Sequence, residues 1–176
     1  SGVKIMVDTK EFIETTMIEI KEIVGDDKVI SACSGGVDSM TATYLVHKAV
    51  GDNLIAVFIN DGLRREGEPE FVVENLRKWG INSRSIDAKK EFFQIFKGKT
   101  DAEEKRKAFR DKFYKIFGKV AKEENVKFIV QGTIKADIME TVQGIKSQHN
   151  VLEQIGIDPQ TYGYSIVEPL KELFKP

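Results

Sequence analysis

The sequence predicts an α/β fold: a doubly wound, mainly parallel sheet of five strands in the order 3-2-1-4-5, with helices on both faces. Three observations predict it. Lys28 to Cys33 and Leu54 to Ile59 are short runs rich in apolar and β-branched residues, as strands covered on both faces require. Such runs alternate with segments whose apolar residues recur at helical spacing, the pattern of βαβ units with right-handed crossovers. A tight glycine turn, Ser34-Gly35-Gly36, joins the first strand directly to a helix.

In chain order, Asp8-Thr9-Lys10-Glu11 has capping-box spacing, and Phe12, Ile13, Met17, Ile20 and Val24 follow at helical intervals up to Gly25. After the first strand and its turn, Met40 to Val50 is a second helix. Gly51-Asp52-Asn53 turns into the second strand, which Asn60-Asp61-Gly62 closes. Glu68 to Trp79 is a helix ended by Gly80, and Ile81 to Ile86 is a more polar strand suited to a sheet edge. Asp87 opens a short helix, Lys89 to Phe96. The charged run Asp101 to Lys107 then leads into Phe109, Phe113, Ile116, Phe117 and Val120 at helical spacing. Phe128 to Gln131 is the fourth strand, with a second glycine turn, Gly132-Thr133, behind it. Ile138-Met139 suggests a short helix, Thr141 to Asn150 a long loop, and Ser165 to Pro169 a fifth strand stopped by proline. Residues 1–176 form one domain, an N-terminal helical segment 1–27 before an α/β core 28–176.

Composition narrows the function classes. The chain has 176 residues, 41% of them hydrophobic, enough for a substantial core. Its 27 basic and 28 acidic residues leave a net charge of −1, so no overall field favours nucleic acid or a membrane surface. One cysteine precludes an internal disulfide and a multi-cysteine metal site. Ser1 to Lys10 has neither a basic n-region nor an apolar h-region, and no apolar run approaches spanning length. The expectation is a cytoplasmic protein with no nucleic-acid or membrane partner.

The chemistry centres on Ser34-Gly35-Gly36-Val37-Asp38-Ser39. Adjacent glycines allow positive φ and let a ligand approach the backbone, and a helix N-terminus offers free N–H groups to an anion. The Ser34 and Ser39 hydroxyls add donors. A carboxylate at Asp38 would repel a phosphate unless a cation lay between them, which points to Mg²⁺ with Asp38 as its ligand. The same residues also suit a plain strand-to-helix turn in which Ser or Asp serves only as N-cap. The order 3-2-1-4-5 brings this turn beside Gly132-Thr133 at the carboxyl edge of the sheet, where open parallel sheets bind ligands. Phe58 and Ile59 could flank a base or ribose, or be ordinary sheet core. Asp61-Gly62 needs no role beyond a turn. Lys146 lies in the long loop, free to be solvated or to bring charge to a phosphoryl group. His47 reads as a surface or satisfied histidine, and Cys33 as a small buried hydrophobe.

Ser-Gly-Gly-Val-Asp-Ser resembles the PP-loop of the ATP pyrophosphatases; the spacing and lysine of a Walker loop are missing. Further segments stand in the order found in GMP synthetase: Asn60 to Arg64, Asp101 to Lys107, Gln131 to Ile134, Ile145 to Val151 and Val167 to Phe174. The whole is similar to the ATP-pyrophosphatase portion of that family. The resemblance implies that ATP and Mg²⁺ bind the loop, that O2 of XMP attacks the α-phosphorus with release of pyrophosphate, and that ammonia then displaces AMP to give GMP. Residue by residue, it implies that Ser34, Gly35, Gly36, Val37, Asp38 and Ser39 hold pyrophosphate and metal, with Gly132 near the adenosine. Lys105, Arg106 and Lys107 would belong to a lid, and Asp137 and Lys146 would face the acceptor or the phosphates. It also implies a separate glutamine amidotransferase as the ammonia source, and a carboxy-terminal domain beyond Pro176 that helps bind XMP and forms a homodimer. The segments depart from the family pattern at Ala136, Gln148, Arg110 and Met40. Two other readings stay open: a different PP-loop enzyme, sulfur-transferring or amide-forming, and a non-catalytic ATP- or AMP-binding module.

Overall fold

A computed structural model describes residues 9–130 and 165–167. The chain runs through α1 (Thr9–Val24), β1 (Val29–Cys33), α2 (Val37–Val50), a 3₁₀ turn (Gly51–Asn53), β2 (Leu54–Asn60), α3 (Glu68–Lys78), β3 (Asn82–Asp87), α4 (Lys89–Phe96), α5 (Ala102–Glu123), β4 (Phe128–Val130) and β5 (Ser165–Val167). The strands are parallel and lie in the order β3-β2-β1-β4-β5.

Register follows from burial. Val29 pairs with Leu54 and Cys33 with Phe58, so two strands with little polar surface sit in the centre of the sheet. On β1, Val29 and Cys33 point to one face, Ile30 and Ala32 to the other, as the two-residue strand period requires. The first face is covered by Ile20 and Val24 of α1, Leu45 and Val46 of α2, and Val72 and Leu76 of α3. The second is covered by Phe92 of α4 and by Tyr114, Phe117, Val120 and Ala121 of α5. The sheet thus separates two cores, each filled by the helices of one crossover direction.

β3 carries the polar sequence Asn-Ser-Arg-Ser-Ile-Asp and is only partly buried, as an edge strand should be. Arg84 there is anchored to Glu123 and Glu124, at 3.0 and 3.1 Å. The α1 face differs from the expected stripe. Thr16, Ile20 and Val24 are buried, whereas Ile13 is 36% exposed. α1 packs chiefly against α2, and the residues it turns inward form a narrow i, i+4, i+8 row. Asp8, expected to cap this helix, lies outside the described residues, as do the expected short helix at Ile138-Met139 and the loop Thr141 to Asn150. The charged segment opens α5 with Asp101 as its cap, the carboxylate accepting from the Glu104 N–H at 2.9 Å. Among the described residues no helix is long and apolar enough to cross a membrane.

Candidate active site

The strand order reverses between β1 and β4. The loop leaving β1 therefore stands at the switch point of a doubly wound sheet, at its carboxyl edge. α2 begins with Gly36 as N-cap, φ −71° and ψ 155°, and among the described residues no side chain caps its free N–H groups. The reading in which Ser or Asp merely caps the helix is thereby set aside. Val37 and Asp38 open the first turn of α2.

Ser39 is 1% exposed, and its hydroxyl is engaged inside the loop. It donates to the Gly36 carbonyl at 3.0 Å and accepts from the Ser34 N–H at 3.2 Å. A hydroxyl has one proton, so at the 3.1 Å contact between the two serine oxygens Ser34 is the donor. The Ser34 oxygen in turn accepts from the Gly36 N–H at 3.4 Å. Ser39 therefore holds the loop from within, and Ser34, half-buried, faces its rim.

Gly35 has φ +85°, a region glycine enters without penalty, and a Cβ there would stand 2.9 Å from Cγ2 of Val72 on α3. Among the described residues its N–H has no partner. Gly36 has ordinary backbone angles, and a Cβ would meet only the Ser34 hydroxyl, at 3.4 Å. The two glycines of the motif thus answer to different constraints.

Beneath the loop lies a small buried polar cluster. Thr43 of α2 bonds Ser31 of β1 at 2.6 Å and the Cys33 sulfur at 3.3 Å. Burial pushes the Cys33 thiol up to about 11, opposed only in part by the Thr43 hydrogen bond. At neutral pH Cys33 is a protonated, inert side chain, as the sequence suggested.

Beside the loop stands the segment that follows β2. The Asn60 side chain accepts from Gly62 N–H at 3.1 Å, and the Asn60 carbonyl accepts from Ala88 N–H at 3.0 Å. Gly62, at φ +79°, packs on Lys89, whose Cγ would lie 3.0 Å from an added Cβ. Asp61 is 4% exposed. One of its carboxylate oxygens accepts from Leu63 N–H at 2.8 Å, and the other faces Arg64 Nε at 3.9 Å. Arg64 donates from Nη1 to the carbonyl of Ser34. Read from sequence, Asp61-Gly62 is only a turn; in the fold it also ties the second loop to the first. The available signal was a carboxylate and a guanidinium three residues apart behind a buried strand.

The other expected site residues are distributed as follows. Phe58 is 1% exposed and belongs to the core shared by α2 and α3, beside Cys33 in register. Lys105 and Arg106 are exposed in the first turns of α5, where Arg106 pairs with Glu103 at 3.2 Å. Among the described residues no hydrogen bond or ion pair joins them to the loop. Gly132, Asp137 and Lys146 lie outside the described residues. His47, expected to be a surface or a satisfied histidine, is half-buried, and its Nδ1 is without a hydrogen-bond partner among the described residues. Among the described residues no group of three or more His, Cys, Asp or Glu could hold a metal.

An arrangement of unpartnered backbone N–H groups at a helix N-terminus, in a loop braced from within and from one side, suits a phosphate-bearing ligand. Comparison with known proteins agrees. Residues 8–175 match the sequence model of the PP-loop domain. The chain is 46% identical over 171 residues to a glutamine-hydrolyzing GMP synthase subunit of Methanopyrus kandleri, an alignment that covers 97% of this chain and 53% of that protein. It is 49% identical over 170 residues to the corresponding GMP synthase subunit of Archaeoglobus fulgidus, with 96% and 54% covered. The chain therefore spans about half the length of the curated relatives it matches. Among solved structures, the NH3-dependent NAD synthetase of Campylobacter jejuni superposes with a TM-score of 0.65 at 13% identity, over 91% of this chain and 80% of that one. The NMN synthetase of Francisella tularensis gives 0.62 at 12% identity, over 89% and 71%. At such identities the structural likeness concerns the fold alone.

Proposed function

The chain belongs to the PP-loop family, and we propose that its Ser34–Ser39 loop holds the pyrophosphate of ATP while XMP is adenylylated and then aminated by ammonia to GMP. The observation that carries this reading is the α2 N-terminus, left without a side-chain cap behind an unpartnered Gly35 N–H at the sheet's switch point. Such a site gathers partial positive charge where a leaving pyrophosphate builds negative charge, and charge stabilisation with positioning supplies most of the catalysis in phosphoryl-type chemistry. The relatives' names, glutamine-hydrolyzing GMP synthase subunits, support GMP as the product and glutamine as the ultimate ammonia source.

The residues divide the work by chemistry. Gly35 and the first turn of α2 from Val37 to Ser39 offer backbone N–H donors, while Gly36 and the Ser34 and Ser39 hydroxyls, already engaged within the loop, shape it around the phosphates. Asp38 would hold Mg²⁺, which when bound neutralises phosphate charge and orients the pyrophosphate for departure. Gly132 lets the adenosine approach the backbone, and Phe58 packs the end of β2 from the core. Lys105, Arg106, Asp137 and Lys146 attend the acceptor and the transferring phosphate.

Ammonia is brought by a separate glutaminase. Acyl transfer from glutamine needs a reactive thiolate, and this chain's one cysteine, Cys33, is buried with its thiol pushed up to about 11. The full-length protein would work as a homodimer in the cytoplasm.

Incubation with ATP, Mg²⁺, ammonium and XMP tests the reading. Pyrophosphate and AMP should appear only when XMP is present. Nucleotide binding without turnover, or turnover only with another acceptor, would contradict it.

A further inference from the structure

We propose that Arg64, held by Asp61, is a positioning residue that fixes the orientation of the Ser34–Gly35 peptide and thereby aims the Gly35 N–H for phosphate. The inference rests on the nucleotide reading above and adds to it a residue outside the loop motif.

In a planar trans peptide the C=O of Ser34 and the N–H of Gly35 point in opposite directions, and the described chain has no cis bond. Arg64 Nη1 takes the Ser34 carbonyl, so the Gly35 N–H is turned away from Arg64 and left as a donor. Glycine makes this peptide easy to rotate, since Gly35 crosses between positive and negative φ at little cost. A rotated peptide would turn the Ser34 carbonyl toward the space meant for an anion. The guanidinium opposes that rotation by holding the Ser34 carbonyl.

Arg64 is itself held. The Asp61 carboxylate is 4% exposed, fixed at one oxygen by Leu63 N–H at 2.8 Å, and faces Arg64 Nε with the other at 3.9 Å. Asn60 in turn ties the start of this segment to Ala88, at the beginning of α4. A chain of fixed contacts thus runs from α4 through Asn60, Asp61 and Arg64 to the first residue of the phosphate loop.

The test measures calorimetric affinity for Mg²⁺·pyrophosphate and Mg²⁺·ATP together with the ¹⁵N–¹H resonance of Gly35. It compares the wild-type chain with Arg64→Gln and with Arg64→Lys, which keeps the cation but loses the fork. Thermal melting checks that each variant is folded, and Arg64→Lys is read in the same way should Arg64→Gln fail to fold. The expected result is affinity weaker by about tenfold or more in Arg64→Gln, the range for a lost charge-assisted hydrogen bond, with the Gly35 resonance of the free protein shifted or broadened. Unchanged affinity in a folded variant overturns the inference, as does weakened affinity with the Gly35 resonance unmoved, which would make Arg64 a charge and no more. A wild-type chain that binds neither ligand overturns the nucleotide reading itself, and this inference with it.

Discussion

Gly35 takes φ +85° with Val72 2.9 Å from where its Cβ would stand, whereas Gly36 has ordinary angles and open surroundings apart from the Ser34 hydroxyl. Gly35→Ala should therefore destabilise the fold, by about 1–3 kcal/mol for a strained backbone against a fixed neighbour. Gly36→Ala should leave Tm nearly unchanged and weaken ATP binding, because its methyl group would enter the space a phosphate needs; melting curves and calorimetry separate the two. The sequence shows both glycines alike, since the difference arises from α3, which packs on one and not the other. Cys33 was legible as buried because its strand is apolar throughout. Its thiol is pushed from 9.0 to about 11, so the folded chain keeps a proton that the unfolded chain releases first. That contribution to stability is complete below pH 9 and is lost as pH rises from 9 toward 11. Cys33→Ala should flatten the alkaline fall in stability over that window by on the order of 2 kcal/mol, measured by denaturant unfolding at each pH. Arg64 was not legible as a brace, because its partner is a backbone carbonyl thirty residues away in sequence.

Each crossover delivers its loop to the carboxyl edge, and the fold reads well wherever the local signal was strong. The apolar runs of β1 and β2, the polar edge strand β3, and the glycine break between α4 and α5 all stand where the sequence placed them. The contact face of α1 could not be read, because five apolar positions at helical spacing do not say whether a helix packs on a sheet or on another helix. α5 separates its duties along its length: Tyr114, Phe117, Val120 and Ala121 fill the core, Phe109 packs on Phe92 at 4.9 Å, and Lys105 to Lys107 remain exposed. The exposed Arg106–Glu103 pair contributes at most about 1 kcal/mol to stability. Replacing Lys105 and Arg106 together by alanine should thus leave Tm within a few degrees of wild type while slowing XMP-dependent pyrophosphate release by about tenfold or more, as for a lost charge at a transferring phosphate. An unchanged rate would remove both residues from the proposed machinery.

The molecule uses its sheet as a partition between two cores, one packed on each face. β1 is covered by α1 and α2 on one face and by α5 on the other, which fixes the start of the phosphate loop while leaving Gly35 and Gly36 exposed. The place of the Ser34–Ser39 loop at the switch point was legible because strand order follows from short crossovers of fixed hand, whereas Gly132-Thr133, expected beside it, lies outside the described residues. The bracing was not legible, because it depends on which side chains meet across elements. A loop that grips the pyrophosphate end of ATP directs cleavage to the α-phosphorus. Phosphorus NMR of the products formed from ATP with Mg²⁺, XMP and ammonium tests this most directly. AMP and pyrophosphate in equal amounts are predicted, with neither formed by Asp38→Ala. ADP and inorganic phosphate would contradict it.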